Sequence, residues 1–198
     1  MRLDFWYEFA STYSYPAAMR IEALATERGV ELRWRPFLLG PIFAEQGWRN
    51  SPFNLFPAKG RNMWRDLDRI CARQGLPFQR PDPFPQNSLL AARTALAVPE
   101  ELRPEFSRAV YTAAFGRKLP IAERDTLASI LEGLGLHASL MLEKAASEEV
   151  KARFKRENEE AKRLGIYGAP SMVCEDGELF WGNDRVEMAL DWALGIHK

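Results

Sequence analysis

Ser11 and Ser14 are the residues from which chemistry can be built. They lie in Phe9-Ala10-Ser11-Thr12-Tyr13-Ser14-Tyr15, which follows an alternating apolar run (Leu3, Phe5, Tyr7) and opens a helical pattern. Strand, tight turn and helix N-terminus in that order present unpaired backbone N–H groups and a partial positive charge. A serine hydroxyl placed there donates a hydrogen bond to an external anion, and a thiolate is such an anion. The terminus and one good donor lower a bound thiol's pKa below its ordinary value of about 8.5. The plainer reading is that Ser11 only caps the helix. Neither His137 nor His197 is placed to deprotonate Ser11, so it is not read as an acyl nucleophile, and no role is assigned to either histidine. The chain brings no thiol of its own: Cys71 and Cys174 are far apart, form no Cys-x-x-Cys pair, and read as buried small hydrophobes. No Cys/His metal pattern is visible. A second stretch, Gly168-Ala169-Pro170-Ser171, opens another alternating run from Met172 to Glu175. A proline just before a strand can sit in cis and leave nearby backbone groups free for a ligand.

The elements that position these two stretches follow from periodicity. Residues 2–7 read as a strand, Thr12 to Arg28 as one helix ended by Gly29, and Val30 to Phe37 as a second strand. Pro16 falls in the first turn, where a missing N–H costs little. Strand, helix, strand predicts a parallel βαβ unit with a right-handed crossover. Residues 40–57 read as irregular, with Gly40, Pro41, Gly47, Pro52 and Pro57 as breakers, and Leu38 to Pro57 as a mobile cover over the site. Helices are predicted from Lys59 to Arg73, Ser88 to Ala97, Pro99 to Ala114, Arg124 to Gly133, His137 to Lys144 and Ser147 to Leu164, with a proline-rich connector over 75–86. Met172 to Cys174 and Leu179 to Trp181, joined by Asp176-Gly177, read as a hairpin. Asp184 to Leu194 is a terminal amphipathic helix. The sum is an α/β fold, βαβ…ββα, with a large all-α insertion: residues 1–38 and 165–198 form one domain in two halves, and 39–164 an inserted helical domain.

Bulk properties narrow the function classes. The 198 residues carry 27 Lys plus Arg and 27 Asp plus Glu, so no net charge draws the chain to nucleic acid or to an anionic membrane. No stretch of about 18 apolar residues is present. Asp4 stands where a secretion signal needs an apolar core, which predicts a cytoplasmic protein.

The chain resembles the 2-hydroxychromene-2-carboxylate isomerases and the kappa-class glutathione transferases, which share a thioredoxin-like fold of the DsbA type. The resemblance runs over nearly the whole chain. It rests on Asp4-Phe5-Trp6-Tyr7 with Ser11-Thr12-Tyr13-Ser14-Tyr15, on Arg35-Pro36-Phe37, on Pro57-Ala58-Lys59-Gly60 and on Asn87-Ser88. The most specific part is Gly165-Ile166-Tyr167-Gly168-Ala169-Pro170-Ser171 with Phe180-Trp181-Gly182-Asn183-Asp184-Arg185. The order and spacing of these pieces in one chain carry the match.

The resemblance implies that the external thiol is glutathione, held by Ser11, Asn50, Lys59, Ala169, Pro170, Asn183 and Asp184, with Ser11 catalytic. The cysteinyl backbone would pair with Ala169 ahead of a cis Pro170. Asn183 and Asp184 would take the γ-glutamyl end, and Asn50 and Lys59 would hold the ligand from the irregular segment. Arg185 is given no role. Tyr13 and Phe37 are candidates for a pocket that takes a small aromatic substrate. The implied activity is glutathione-dependent interconversion of 2-hydroxychromene-2-carboxylate and trans-o-hydroxybenzylidenepyruvate, in naphthalene-type aromatic breakdown. The alternatives are a kappa-type transferase or peroxidase and, from another class, a non-catalytic binding module. Ala169 replaces a bulkier apolar residue of the kappa pattern, and Tyr15-Pro16 replaces a Trp-Leu type pair; both departures point to the isomerases. The resemblance also implies a homodimer.

Overall fold

The computed structural model describes residues 1–48 and 50–196; His197 lies outside them. Two strands open the chain, β1 (Arg2–Tyr7) and β2 (Glu31–Pro36), and two close it, β3 (Ser171–Cys174) and β4 (Leu179–Trp181). They form one mixed sheet in the order β2-β1-β3-β4. β1 runs parallel to β2, with Phe5 beside Trp34, and antiparallel to β3, with Trp6 beside Ser171. This is the predicted parallel pair joined through helix, and the predicted hairpin: Gly177 takes φ +91° in the turn after Asp176.

Period-two alternation sends the side chains of β1 to opposite faces. Leu3, Phe5 and Tyr7 enter the main core, while Trp6 enters a smaller one with Phe37, Ile42, Ala161 and Ile166. Both faces are covered by helix. In the main core Tyr7, Phe9, Tyr15, Tyr111 and Phe115 form a run of ring contacts between 5.2 and 6.4 Å. Cys71 and Cys174 are both buried there as free thiols.

The predicted helix over 12–28 is two: α1 (Ser14–Ala18) and α2 (Ile21–Arg28), broken at Met19–Arg20. The break falls where the Arg20 guanidinium turns away to Asn183 and Glu187. The segment over 40–57 is not irregular. It contains α3 (Leu39–Glu45) and α4 (Pro52–Leu55), and α5 (Pro57–Gln74) follows directly. Pro41, Pro52 and Pro57 sit in first helical turns, where a proline's missing N–H is already an orphan donor, so they begin helices rather than break them.

α6 (Leu89–Ala97), α7 (Arg103–Tyr111), α8 (Arg124–Gly133), α9 (Ala138–Ala146) and α10 (Glu148–Arg163) fill the stretch between β2 and β3, with α11 (Val186–Ala193) at the end. The single helix read over 99–114 is a 3₁₀ turn, α7 and a π turn at Thr112–Gly116. Asp184 belongs to a 3₁₀ turn, Asn183–Arg185, that leads into α11.

Candidate active site

The turn after β1 is set by backbone and side chain together. Ser11 N–H donates to the Glu8 carbonyl at 2.9 Å, closing the turn. Ser14 N–H donates to the Ser11 hydroxyl oxygen at 3.3 Å, and that hydroxyl donates to the Ala169 carbonyl at 2.8 Å. Residues separated by 158 positions are thus joined at the site. The Ala169–Pro170 peptide is cis, as the resemblance implies. Ser14 is fully buried and faces the core, so of the two serines only Ser11 reaches the cavity. α1 is five residues long, so the local donors at its start, rather than a long helix, are what an anion would meet.

Close packing holds the second stretch against the first. Gly182 N–H donates to the Pro170 carbonyl at 2.9 Å, which brings Asn183 and Asp184 beside Ala169. Gly182 has φ +117°, open to glycine and hostile to other residues. A Cβ on Gly168 would lie 2.3 Å from the Trp181 indole nitrogen, so the indole rests on bare backbone there. Trp181 in turn packs against Tyr167 at 5.1 Å, both about half exposed at the rim.

An open cavity of about 2100 Å³ lies over this junction. Of the residues singled out from sequence, Ser11, Tyr13, Asn50, Lys59, Ala169, Asn183 and Asp184 all line it. Pro170 is buried behind Ala169 and shapes the wall without facing it. Phe37 is a correction: it is fully buried, edge-on to Trp6 at 6.0 Å in the smaller core, and does not reach the cavity. It follows β2 directly and is drawn under the sheet by the Trp6 ring. The aromatic wall is instead Tyr13, Phe43, Trp48, Phe53 and Phe84.

The chemistry of the lining is mixed. Asn183 is buried, and its side-chain oxygen accepts from Arg20 at 3.2 Å, leaving the amide N–H₂ as donor. The exposed Asp184 carboxylate pairs with Arg185 at 2.7 Å, which gives Arg185 a neighbour on the surface as partner. Lys59 has its ammonium 4.8 Å from the Phe56 ring centre. The Asn50 side-chain oxygen accepts from Ser51 and Asn54, again leaving N–H₂ as donor. Tyr13 donates to Asp66 at 3.0 Å; burial and then that carboxylate push its pKa upward. Burial pushes the Cys71 thiol to about 11 and Cys174 to about 12, so both stay protonated and out of the chemistry. The sequence reading missed Glu8, Arg20 and Asp66 on this wall. Glu8 carried one signal: an acid set between Tyr7 and Phe9, directly after an apolar strand.

A family model described as a DSBA-like thioredoxin domain matches residues 2–192. The chain belongs to this family. It is similar to a 2-hydroxychromene-2-carboxylate isomerase of Sphingobium xenophagum, 26% identical over 192 residues and covering 97% of both chains. It is also similar to a glutathione S-transferase kappa 1 of Caenorhabditis elegans, 28% identical over 204 residues, covering 96% of this chain and 89% of that one. Among solved structures, a 2-hydroxychromene-2-carboxylate isomerase superposes with a TM-score of 0.87 at 26% identity, covering 98% of this chain and 95% of that one. The thioredoxin-like fold of the DsbA type with its helical elaboration is therefore established for this chain, and these relatives are named as isomerases and glutathione transferases.

Proposed function

We propose that this protein is a glutathione-dependent isomerase that interconverts 2-hydroxychromene-2-carboxylate and trans-o-hydroxybenzylidenepyruvate. The observation that carries the reading is the Ser11 hydroxyl, 2.8 Å from the Ala169 carbonyl beside a cis Pro170, in a cavity with no reactive cysteine among the described residues that line it. The donor set suits a zwitterionic tripeptide with a thiol. Asn183 offers amide donors for the γ-glutamyl carboxylate, Asp184 an acceptor for its ammonium, and Lys59 and Asn50 donors for the glycyl carboxylate.

When bound, glutathione would supply a thiolate that adds reversibly to the conjugated carbon, so that the double bond becomes single, rotates, and re-forms as the sulfur leaves. The chain's residues prepare for this. Ser11 would turn its hydrogen from the Ala169 carbonyl to the anion, a charge-assisted bond in place of a neutral one. Ala169 would give its backbone to the cysteinyl unit, and Gly182 keeps that wall and the γ-glutamyl binders in register. Tyr13, Phe43 and Phe53 give a flat substrate an apolar face.

In the same reading, residues 1–38 and 165–198 form the thioredoxin-like domain and 39–164 the inserted helical one, and the protein works as a cytoplasmic homodimer. The kappa relative, at an identity similar to the isomerase's, keeps a second reading open: transfer of glutathione to other electrophiles from the same site. The test is conversion of the hemiketal followed by absorbance, with Ser11→Ala as control. Equal rates with and without glutathione reject the proposal, and faster turnover of chlorodinitrobenzene than of the hemiketal favours the transferase.

A further inference from the structure

Glu8 is left without a task by the scheme above. It directly follows β1, lines the cavity and is 4% exposed; among the described residues no other acid is buried this deeply. Its carboxylate accepts from three donors on three separate segments. Ala10 N–H reaches one oxygen at 3.1 Å, the Ser88 hydroxyl makes a short bond to the same oxygen, and Leu39 N–H, at the start of α3, reaches the other at 3.0 Å. Its backbone carbonyl holds Ser11 N–H and the Tyr111 hydroxyl, each at 2.9 Å. Burial pushes the carboxyl pKa up, and these three donors, together with the Phe9 N–H, oppose that shift. Two of the three are backbone amides, which cannot reverse direction. Only a group with acceptors on both oxygens satisfies them.

We infer that Glu8 is a positioning residue whose carboxylate ties the Ser11 turn to α3 and to the Asn87–Ser88 loop. The serine donor and the wall that carries Phe43 then keep one separation. The catalytic consequence rests on the function proposed above; the mechanical coupling does not. Glutamine has one oxygen where two are used. With that oxygen kept for Ala10 and Ser88, its N–H₂ faces the Leu39 N–H, and α3 loses its anchor to the site.

The experiment compares wild type with Glu8→Gln by amide exchange, glutathione calorimetry and steady-state turnover. Exchange over 39–45 should rise at least about fivefold while α10 stays unchanged. The dissociation constant for glutathione should stay within about threefold, and kcat should fall roughly tenfold or more, as expected for a displaced wall. Unchanged exchange in α3, or unchanged kcat, overturns the inference. If wild type binds no glutathione, the proposed function falls while the exchange result still decides the role of Glu8. Should Glu8→Gln fail to fold, Ser88→Ala removes one donor and keeps the carboxylate. Faster exchange in both α3 and the first turn of α6 then supports the coupling, and a rise confined to 88–92 refutes it.

Discussion

Replacing Ser11 with alanine removes one hydroxyl and allows the thiol reading to be put on a scale. In the structure that hydroxyl donates to the Ala169 carbonyl at 2.8 Å and accepts from Ser14 N–H at 3.3 Å. A bond to an ionised partner contributes about 1.5–3 kcal/mol and a neutral one about 0.5–1.5 kcal/mol. Ser11 must release the carbonyl to reach a thiolate, so its net preference for the anion is the difference, about 1–1.5 kcal/mol. That corresponds to about one pH unit. The bound thiol of the Ser11→Ala protein should therefore titrate about one unit higher than in wild type, leaving up to about tenfold less thiolate at neutral pH. The acid limb of activity should move to higher pH by the same amount. The measurement is the ultraviolet absorbance of the thiolate as a function of pH, at protein concentrations that saturate binding. A difference below about 0.3 unit, worth about 0.4 kcal/mol, would refute the assignment of Ser11 as the anion's donor.

Arg20→Ala should weaken glutathione binding by about tenfold in calorimetry, because the Asn183 amide loses the guanidinium that fixes its orientation. Gly182→Ala should lower stability by about 1–3 kcal/mol in thermal melts, since φ +117° with ψ 152° is a region nearly closed to other residues. Cys71 and Cys174, held near 11 and 12 by burial, should not react with a thiol reagent at neutral pH until the protein is unfolded. Burial also raises Tyr15 from 10 to about 12 while its hydroxyl donates to the Pro77 carbonyl. A folded-state pKa above the unfolded one means that this contribution is intact below pH 10 and lost as the pH climbs toward 12; Tyr15→Phe should flatten that alkaline fall in melts taken across the range.

The signals that read correctly from sequence are local ones. The period-two run of Leu3, Phe5 and Tyr7, the Asp176-Gly177 turn and the proline after Ala169 each act within a few residues, so they survive without tertiary information. Prolines misled over 40–57 because the same residue that breaks a helix interior also starts a helix, and only the backbone bonds around Pro41, Pro52 and Pro57 tell the two apart. Phe37 reads as a pocket candidate because aromatics crowd the first third of the chain, whereas contact with the Trp6 ring takes it into the smaller core. Glu8 and Arg20 were invisible for another reason: their partners stand as far as 80 and 167 positions away, and no periodicity encodes such pairs.

The cavity's size bears on when its electrostatics act. Its 2100 Å³ would hold on the order of seventy water molecules. A sulfur anion in such a wet chamber keeps part of its solvation while it accepts from Ser11. An aromatic guest that displaces this water lowers the local dielectric, makes each donor count for more and at the same time strips the anion of solvent. Thermodynamic reciprocity then ties the two together: the guest binds tighter to the ionised binary complex when the strengthened donors outweigh the lost water. The second reactant would in that way set the ionisation of the nucleophile that attacks it.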